Sequence, residues 1–156
     1  MKDLSAGTTY FEYNGRDLAE SIHYPGGAWN RFHYDARGRR YAMEDSSGLT
    51  YFTWDEGGMD LLCERDATGA VTKKYTHGST PVDGIGSVVE MEDTGTASFK
   101  YPHMDHRGTV FATTGAAEDE KDAYEWNAWG ESLHESETGF AHLLGYQTNW
   151  IMAPDS

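Results

Sequence analysis

Between residues 8 and 75 apolar and polar positions alternate in short runs, and a glycine-bearing polar turn interrupts each run before a helical face can develop. Phe32 and Tyr34 fall on one face of a strand, and Arg31, His33 and Asp35 fall on the other. That run stops at Asp35-Ala36-Arg37-Gly38, where the Asp side chain can cap the backbone two residues on and Gly can take a positive φ. The same spacing returns as Asp45-Ser46-Ser47-Gly48, Asp55-Glu56-Gly57-Gly58, Asp66-Ala67-Thr68-Gly69, Asp83-Gly84-Ile85-Gly86 and Asp105-His106-Arg107-Gly108, with an Asn form at Asn127-Ala128-Trp129-Gly130. Turns beginning at 35, 45, 55 and 66 leave room for short antiparallel strands and none for helices. Gly38, Gly58 and Gly108 are expected at positive φ.

Aromatic pairs spaced by two recur with the turns: Phe11/Tyr13, Phe32/Tyr34, Phe52/Trp54, Phe99/Tyr101 and Tyr124/Trp126. Their second members at 13, 34 and 54 set a period of 20 to 21 residues, one hairpin per repeat. Units of this kind bury their apolar faces by stacking on neighbours. The pairs are therefore expected to form an aromatic ladder on one sheet face, with Tyr34, Trp54 and Tyr101 buried together. Asn14-Gly15 reads as a shortened first corner, Pro25-Gly26-Gly27 as the next reversal, and Asp93-Thr94-Gly95 as a later hairpin turn. Thr76 to Gly86 breaks the period and reads as a loop or bulged edge. Phe140 to Ser156 shows no clear period.

Composition agrees with an all-β chain of antiparallel hairpin repeats forming a curved sheet. Aromatics make up 13% of the 156 residues, and 18 glycines let the backbone turn often. A formal net charge of -14 argues against nucleic acid or an anionic membrane surface as partner. No apolar stretch is long enough to span a bilayer, and no signal-peptide core opens the chain. Cys63, the one cysteine, reads as a small buried hydrophobe in phase with Met59 and Leu61.

Candidate chemistry is sparse. His103, Asp105 and His106 hold metal-ligating groups close together, but His103 and Asp105 share a strand face while His106 falls in the turn, so no metal or cofactor is expected. Each Asp turn offers too few carboxylates for calcium and is explained by local capping. No nucleophilic triad signature is present, and no enzyme activity is expected. Arg37, Arg39 and Arg40 beside aromatic rings suit either a sugar or an anionic polysaccharide, or cross-strand pairing with the acidic excess.

Tyr34-Asp35-Ala36-Arg37-Gly38-Arg39 resembles the repeat motif of the Rhs/YD-repeat family, and Trp54-Asp55-Glu56-Gly57-Gly58 and Tyr13-Asn14-Gly15-Arg16 resemble degenerate copies. Tyr101-Pro102-His103-Met104-Asp105-His106-Arg107-Gly108-Thr109-Val110, Tyr124-Glu125-Trp126-Asn127-Ala128-Trp129-Gly130-Glu131 and Leu144-Gly145-Tyr146-Gln147 resemble successive blocks of that family's repeat-associated core. The resemblance implies YD-type hairpins over 1–101 and the start of the core region over 102–156, cut short at the C-terminus. It also implies a segment of a β-shell, secreted or at the cell surface, that encloses or scaffolds a toxin or other C-terminal cargo. The partners it implies are the remaining shell and cargo of a parent protein. Too few hairpins are present to close the shell that the resemblance implies, which leaves strand edges free for self-association. A carbohydrate or cell-surface binding module is the alternative.

Overall fold

The computed structural model describes residues 7–57, 60–82, 85–105, 109–117, 120–126 and 132–135, excepting the side chains of 79–82, 85–87, 120–122, 126 and 132–135. The strands are β1 (Tyr10–Tyr13), β2 (Ala19–His23), β3 (Trp29–Tyr34), β4 (Arg40–Asp45), β5 (Gly48–Trp54), β6 (Leu61–Arg65), β7 (Val71–Val82), β8 (Ile85–Asp93), β9 (Ser98–Met104), β10 (Val110–Gly115), β11 (Glu120–Trp126) and β12 (Ser132–Glu135). They form one 12-stranded meander in which each strand pairs antiparallel with its neighbours in sequence. No helix occurs among the described residues, and substantial contact runs only between adjacent strands. The boundary expected after residue 101 falls inside β9.

Of Thr76 to Gly86, expected as a loop or bulged edge, residues 76–82 and 85–86 belong to the paired strands β7 and β8, and Asp83 and Gly84 lie outside the described residues. The β7–β8 register slips at Thr76/His77 and again between His77 and Pro81. Gly78 and Pro81, which read as strand breakers, are accommodated at the second slip, where the ladder is interrupted.

One face carries the core. Phe52, Leu61, Tyr75, Val88, Met91, Val110 and Tyr124 form a continuous cluster from β5 to β11, with Met43, Trp54 and Met104 packed against it. Ile22 and Phe32, each 2% exposed, extend the same face towards β1. The opposite face is polar, with ion pairs Arg31–Glu44 at 3.4 Å and Lys74–Glu92 at 2.9 Å between strand neighbours. The alternation read from the sequence thus corresponds to one apolar and one polar side of a single layer.

A bulge sets which residues reach the core face. In the β5–β6 pairing Thr53 opposes Cys63 while Trp54 opposes Leu61, so Leu62 is the extra residue. Leu61 therefore joins Trp54 in the core, and Cys63, although buried, stands on the Thr53 face. The expected common phase of Leu61 and Cys63 fails for this reason, and Met59 lies outside the described residues.

Candidate functional site

Alternate corners of a meander lie at the same end of the strands, and the corners beginning at Asn14, Asp35, Asp55 and Asp105 share one rim of the sheet. They share a register as well. Tyr13 pairs with Ala19 and Glu12 with Ser21, Tyr34 with Arg40 and His33 with Ala42, Met104 with Val110 and His103 with Ala112, Trp126 with Ser132 and Glu125 with His134. In each case the returning strand gains one residue directly after the corner. Trp54 with Leu61 repeats the pattern with a corner one residue longer.

The Asx side chain at the head of each corner satisfies the backbone that the turn leaves open. Asp35 Oδ1 accepts from the N–H groups of Arg37 and Arg39, both at 2.9 Å, while Asp35 N–H donates to the Arg39 carbonyl and Gly38 N–H to the Asp35 carbonyl. Asn14 Oδ1 accepts from Arg16 N–H at 2.9 Å and Leu18 N–H at 3.2 Å. Asp55 Oδ1 accepts from Asp60 N–H at 3.3 Å, and Asp105 Oδ1 from Thr109 N–H at 2.9 Å. Asp66 builds the same cap at the opposite end of the sheet, with Thr68 and Ala70 as donors. Gly38 and Gly69 sit at φ 83° and 87°, and in the first corner Asp17 occupies the equivalent slot at φ 59°. Gly58, Gly108, Asn127 and Gly130 lie outside the described residues. Asp45 differs from the others: it pairs directly with Gly48 across a two-residue turn.

These bonds act on the carboxylates. Loss of solvent pushes Asp35 upward, but its bonds to the Arg39 guanidinium and to the backbone N–H groups of Arg39 and Arg37 outweigh this and hold its pKa below the usual carboxylate value. Asp66 is lowered chiefly by the Thr68 hydroxyl, and Asp93 chiefly by the Thr96 backbone N–H.

Arginines then tie corner to corner along the rim. Arg16 Nη1 donates to the Asp35 carbonyl at 3.1 Å and the Ala36 carbonyl at 3.4 Å. Arg37 Nη1 donates to the Glu56 carbonyl at 2.8 Å, and Arg39 Nη1 to the Asp55 carbonyl at 2.9 Å while its Nε holds Asp35 at 2.8 Å. Arg37 and Arg39 thus engage carbonyl groups of the next repeat, a role that sequence reasoning missed. The signal was present, since Arg16 and Arg37 each stand two residues after an Asx. Arg40 instead lies over the Phe32 ring, 4.2 Å from its centroid.

The ladder residues divide by parity. Phe32 and Phe52 are buried, Tyr34 and Trp54 are half-buried on the same face, and Tyr124 is 6% exposed on that face near the other end. Phe99 and Tyr101 do not join them. Met91 pairs with Lys100 and Glu92 with Phe99, which puts Lys100 on the core face and both aromatics on the polar one. Phe32 and Tyr34 stand three and one residues before their Asp, whereas Phe99 and Tyr101 stand six and four before Asp105, the opposite phase. Burial of Tyr101 with Tyr34 and Trp54 is accordingly not seen. The side chain of Trp126 lies outside the described residues.

Two polar features of the core face had no sequence signal. Glu64, 5% exposed, accepts a short hydrogen bond from the Tyr75 hydroxyl and pairs with Lys73 Nζ at 3.4 Å. Burial, reinforced by the Glu64 charge, pushes the Tyr75 phenol upward. Asn30 is fully buried, with Nδ2 3.4 Å from Met43 Sδ. Of the proposed metal trio, His103 is exposed with Nε2 3.0 Å from Thr114 Oγ1, Asp105 caps its corner, and His106 lies outside the described residues. Among the described residues no three His, Cys, Asp or Glu side chains converge on a metal position.

No family model matches the chain. It is 26% identical over 121 residues to tRNA3(Ser)-specific nuclease WapA of Bacillus spizizenii, covering 74% of this chain, and 26% identical over 151 residues to Teneurin-3 of Danio rerio, covering 90%. The chain spans 5% of the length of each of these relatives. Among solved structures it is similar to the TcdB2–TccC3–TEV crystal structure, with a TM-score of 0.53 and 11% identity over 82% of this chain and 7% of that one. It is likewise similar to the Photorhabdus luminescens Tc holotoxin pore, with a TM-score of 0.54, 11% identity and the same coverage. Both curated relatives are YD-repeat proteins, the solved structures share the β-shell fold, and the corners carry the Asx-x-x-Gly motif: the chain is a distant relative of the Rhs/YD-repeat proteins.

Proposed function

We propose that this chain is a wall segment of a β-shell, contributing to the enclosure or scaffolding of a polypeptide cargo, toxic or otherwise, and acting mechanically with no catalysis of its own. The observation that carries this reading is the single-layer meander stitched along one rim, a geometry that extends by repetition. Similarity to Tc toxin chains supports a toxin-associated setting at the cell surface or outside the cell. The nuclease activity in the name of WapA belongs to a protein of which this chain matches 5%. YD repeats over 1–101 and the start of a core region over 102–156 form part of the same proposal.

Protease protection tests the reading. The product of the coding sequence around this segment should shield its downstream polypeptide from protease, and a wall-breaking Phe52→Asp change should expose it. Equal digestion of that polypeptide in both proteins would refute enclosure.

Among the described residues no strand pairs with the outer side of β1. β1 ends the sheet with Tyr10, Phe11 and Tyr13 at 63%, 51% and 62% exposure, whereas the repeat equivalent Phe32 is 2% exposed. An edge this apolar, with Glu12 as its one charged residue, recruits another strand, and a second copy of the chain can supply one.

A further inference from the structure

Asn14-Gly15 is the one Asn-Gly step in the chain, and it opens the first corner of the rim. Asn14 Oδ1 accepts from Arg16 N–H at 2.9 Å and from Leu18 N–H at 3.2 Å, which folds the side-chain carbonyl back over the peptide joining Asn14 to Gly15. Among the described residues neither Gly15 N–H nor Asn14 Nδ2 has a hydrogen-bond partner. Gly15 is exposed, and a β-carbon built on it would meet nothing within 4 Å. The corner therefore sets an electrophile, Asn14 Cγ, with two N–H donors on its oxygen, beside an unengaged nucleophile, the Gly15 nitrogen.

These are the parts of an intramolecular acyl transfer. The Gly15 nitrogen, after losing its proton to solvent base, bonds to Asn14 Cγ, and charge gathers on Oδ1, where the Arg16 and Leu18 N–H groups already point. The bond from Cγ to Nδ2 then breaks with release of ammonia and leaves a cyclic imide. Water opens the imide at Cγ to give aspartate, or at the main-chain carbonyl to give isoaspartate with one more carbon in the backbone. Glycine matters at the attacking position because a β-carbon there would crowd the ring closure. The aspartate product fits the corner, since Asp35 Oδ1 accepts from the Arg37 and Arg39 N–H groups in the same pattern, two and four residues on. We propose that Asn14 is a deamidation site, at which the folded corner itself promotes loss of the side-chain amide through attack by the Gly15 nitrogen. This inference does not depend on the enclosure reading.

Peptide mapping by mass spectrometry tests it on the full chain, aged at neutral pH and sampled over days. The tryptic peptide ending at Arg16 should gain the mass difference between a hydroxyl and an amino group, and should do so faster in the folded chain than in the same chain unfolded in guanidinium chloride. Asn30, fully buried in β3 and followed by Arg31, should stay unchanged as an internal control. Gly15→Ala should lose most of the gain. That position has room for a β-carbon and is not at positive φ, and an unchanged melting temperature verifies folding. No gain in the Asn14 peptide, a rate no higher in the folded chain than in the unfolded one, or an equal rate in Gly15→Ala would each overturn the proposal.

Discussion

Tyr34 donates its phenolic hydrogen to the carbonyl oxygen of Ala19 at 2.7 Å, and Trp54 repeats the act one unit later, donating Nε1–H to the Arg40 carbonyl at 2.6 Å. Ala19 and Arg40 are equivalent, each pairing with the aromatic that precedes a corner, Tyr13 or Tyr34. The rings thus reach back by one repeat while Arg16, Arg37 and Arg39 reach forward. This explains the composition of the pairs: Phe, with no donor, at 32 and 52, and a donor-bearing ring at 34 and 54. Tyr34→Phe should cost about 1 kcal/mol in urea denaturation, the ordinary net worth of one hydrogen bond left unmade. A loss near zero would mean that water replaces the phenol at the Ala19 carbonyl.

Glycine at the corner is required by conformation and not by space. A β-carbon on Gly38 would meet only Leu18 Cδ1 at 3.8 Å, but φ is 83°. Gly38→Ala should lower stability by about 1 kcal/mol, more than the exposed Ala36→Gly does. The converse applies at Asp17, which holds the same slot at φ 59°, so Asp17→Gly should raise the melting temperature. Thermal melts of the three variants decide the order.

Acid should loosen the corners first. The folded-state pKa values of Asp35, Asp66 and Asp93 lie below their ordinary value. Their contribution is therefore complete above the unfolded carboxylate pKa, about 3.9, and is lost as pH falls through the lower folded values. Stability should decline as pH drops below about 4, and Asp66→Asn should flatten that decline while keeping a folded corner, since Asn14 already caps one. Melting temperatures of both proteins over that range are the check.

Core energetics should follow parity and not aromatic content. Phe32→Ala, on the core face, should cost about 3–5 kcal/mol, whereas Tyr101→Ala, on the polar face, should cost much less. Comparable losses in denaturant would contradict the register of β9.

The fold was legible because turn chemistry and period-two alternation agree over most of the chain. Asp35 and Gly38 announce a corner by their own conformational needs, and Phe32/Tyr34 announce the face beside it. Bulges were not legible, because an extra residue such as Tyr41 or Leu62 differs in no composition from its neighbours and only pairing reveals it. For the same reason the placement of Cys63 was misread, since counting by twos fails across a bulge, whereas the phase of Phe99/Tyr101 lay in their even spacing to Asp105, opposite to the odd spacing of Phe32/Tyr34 to Asp35. The Glu64–Tyr75 contact joins residues diagonally placed on neighbouring strands, two residues beyond the Glu64–Lys73 pair, so nothing local records it.

Sedimentation velocity of the isolated chain at micromolar concentration tests the central claim most directly, since a piece of wall must have an unfinished edge. The account predicts a dimer or larger species that Glu12→Lys together with Phe11→Lys shifts towards monomer by blocking β1 with charge. A strictly monomeric, cooperatively folding chain would contradict it and identify a self-sufficient domain.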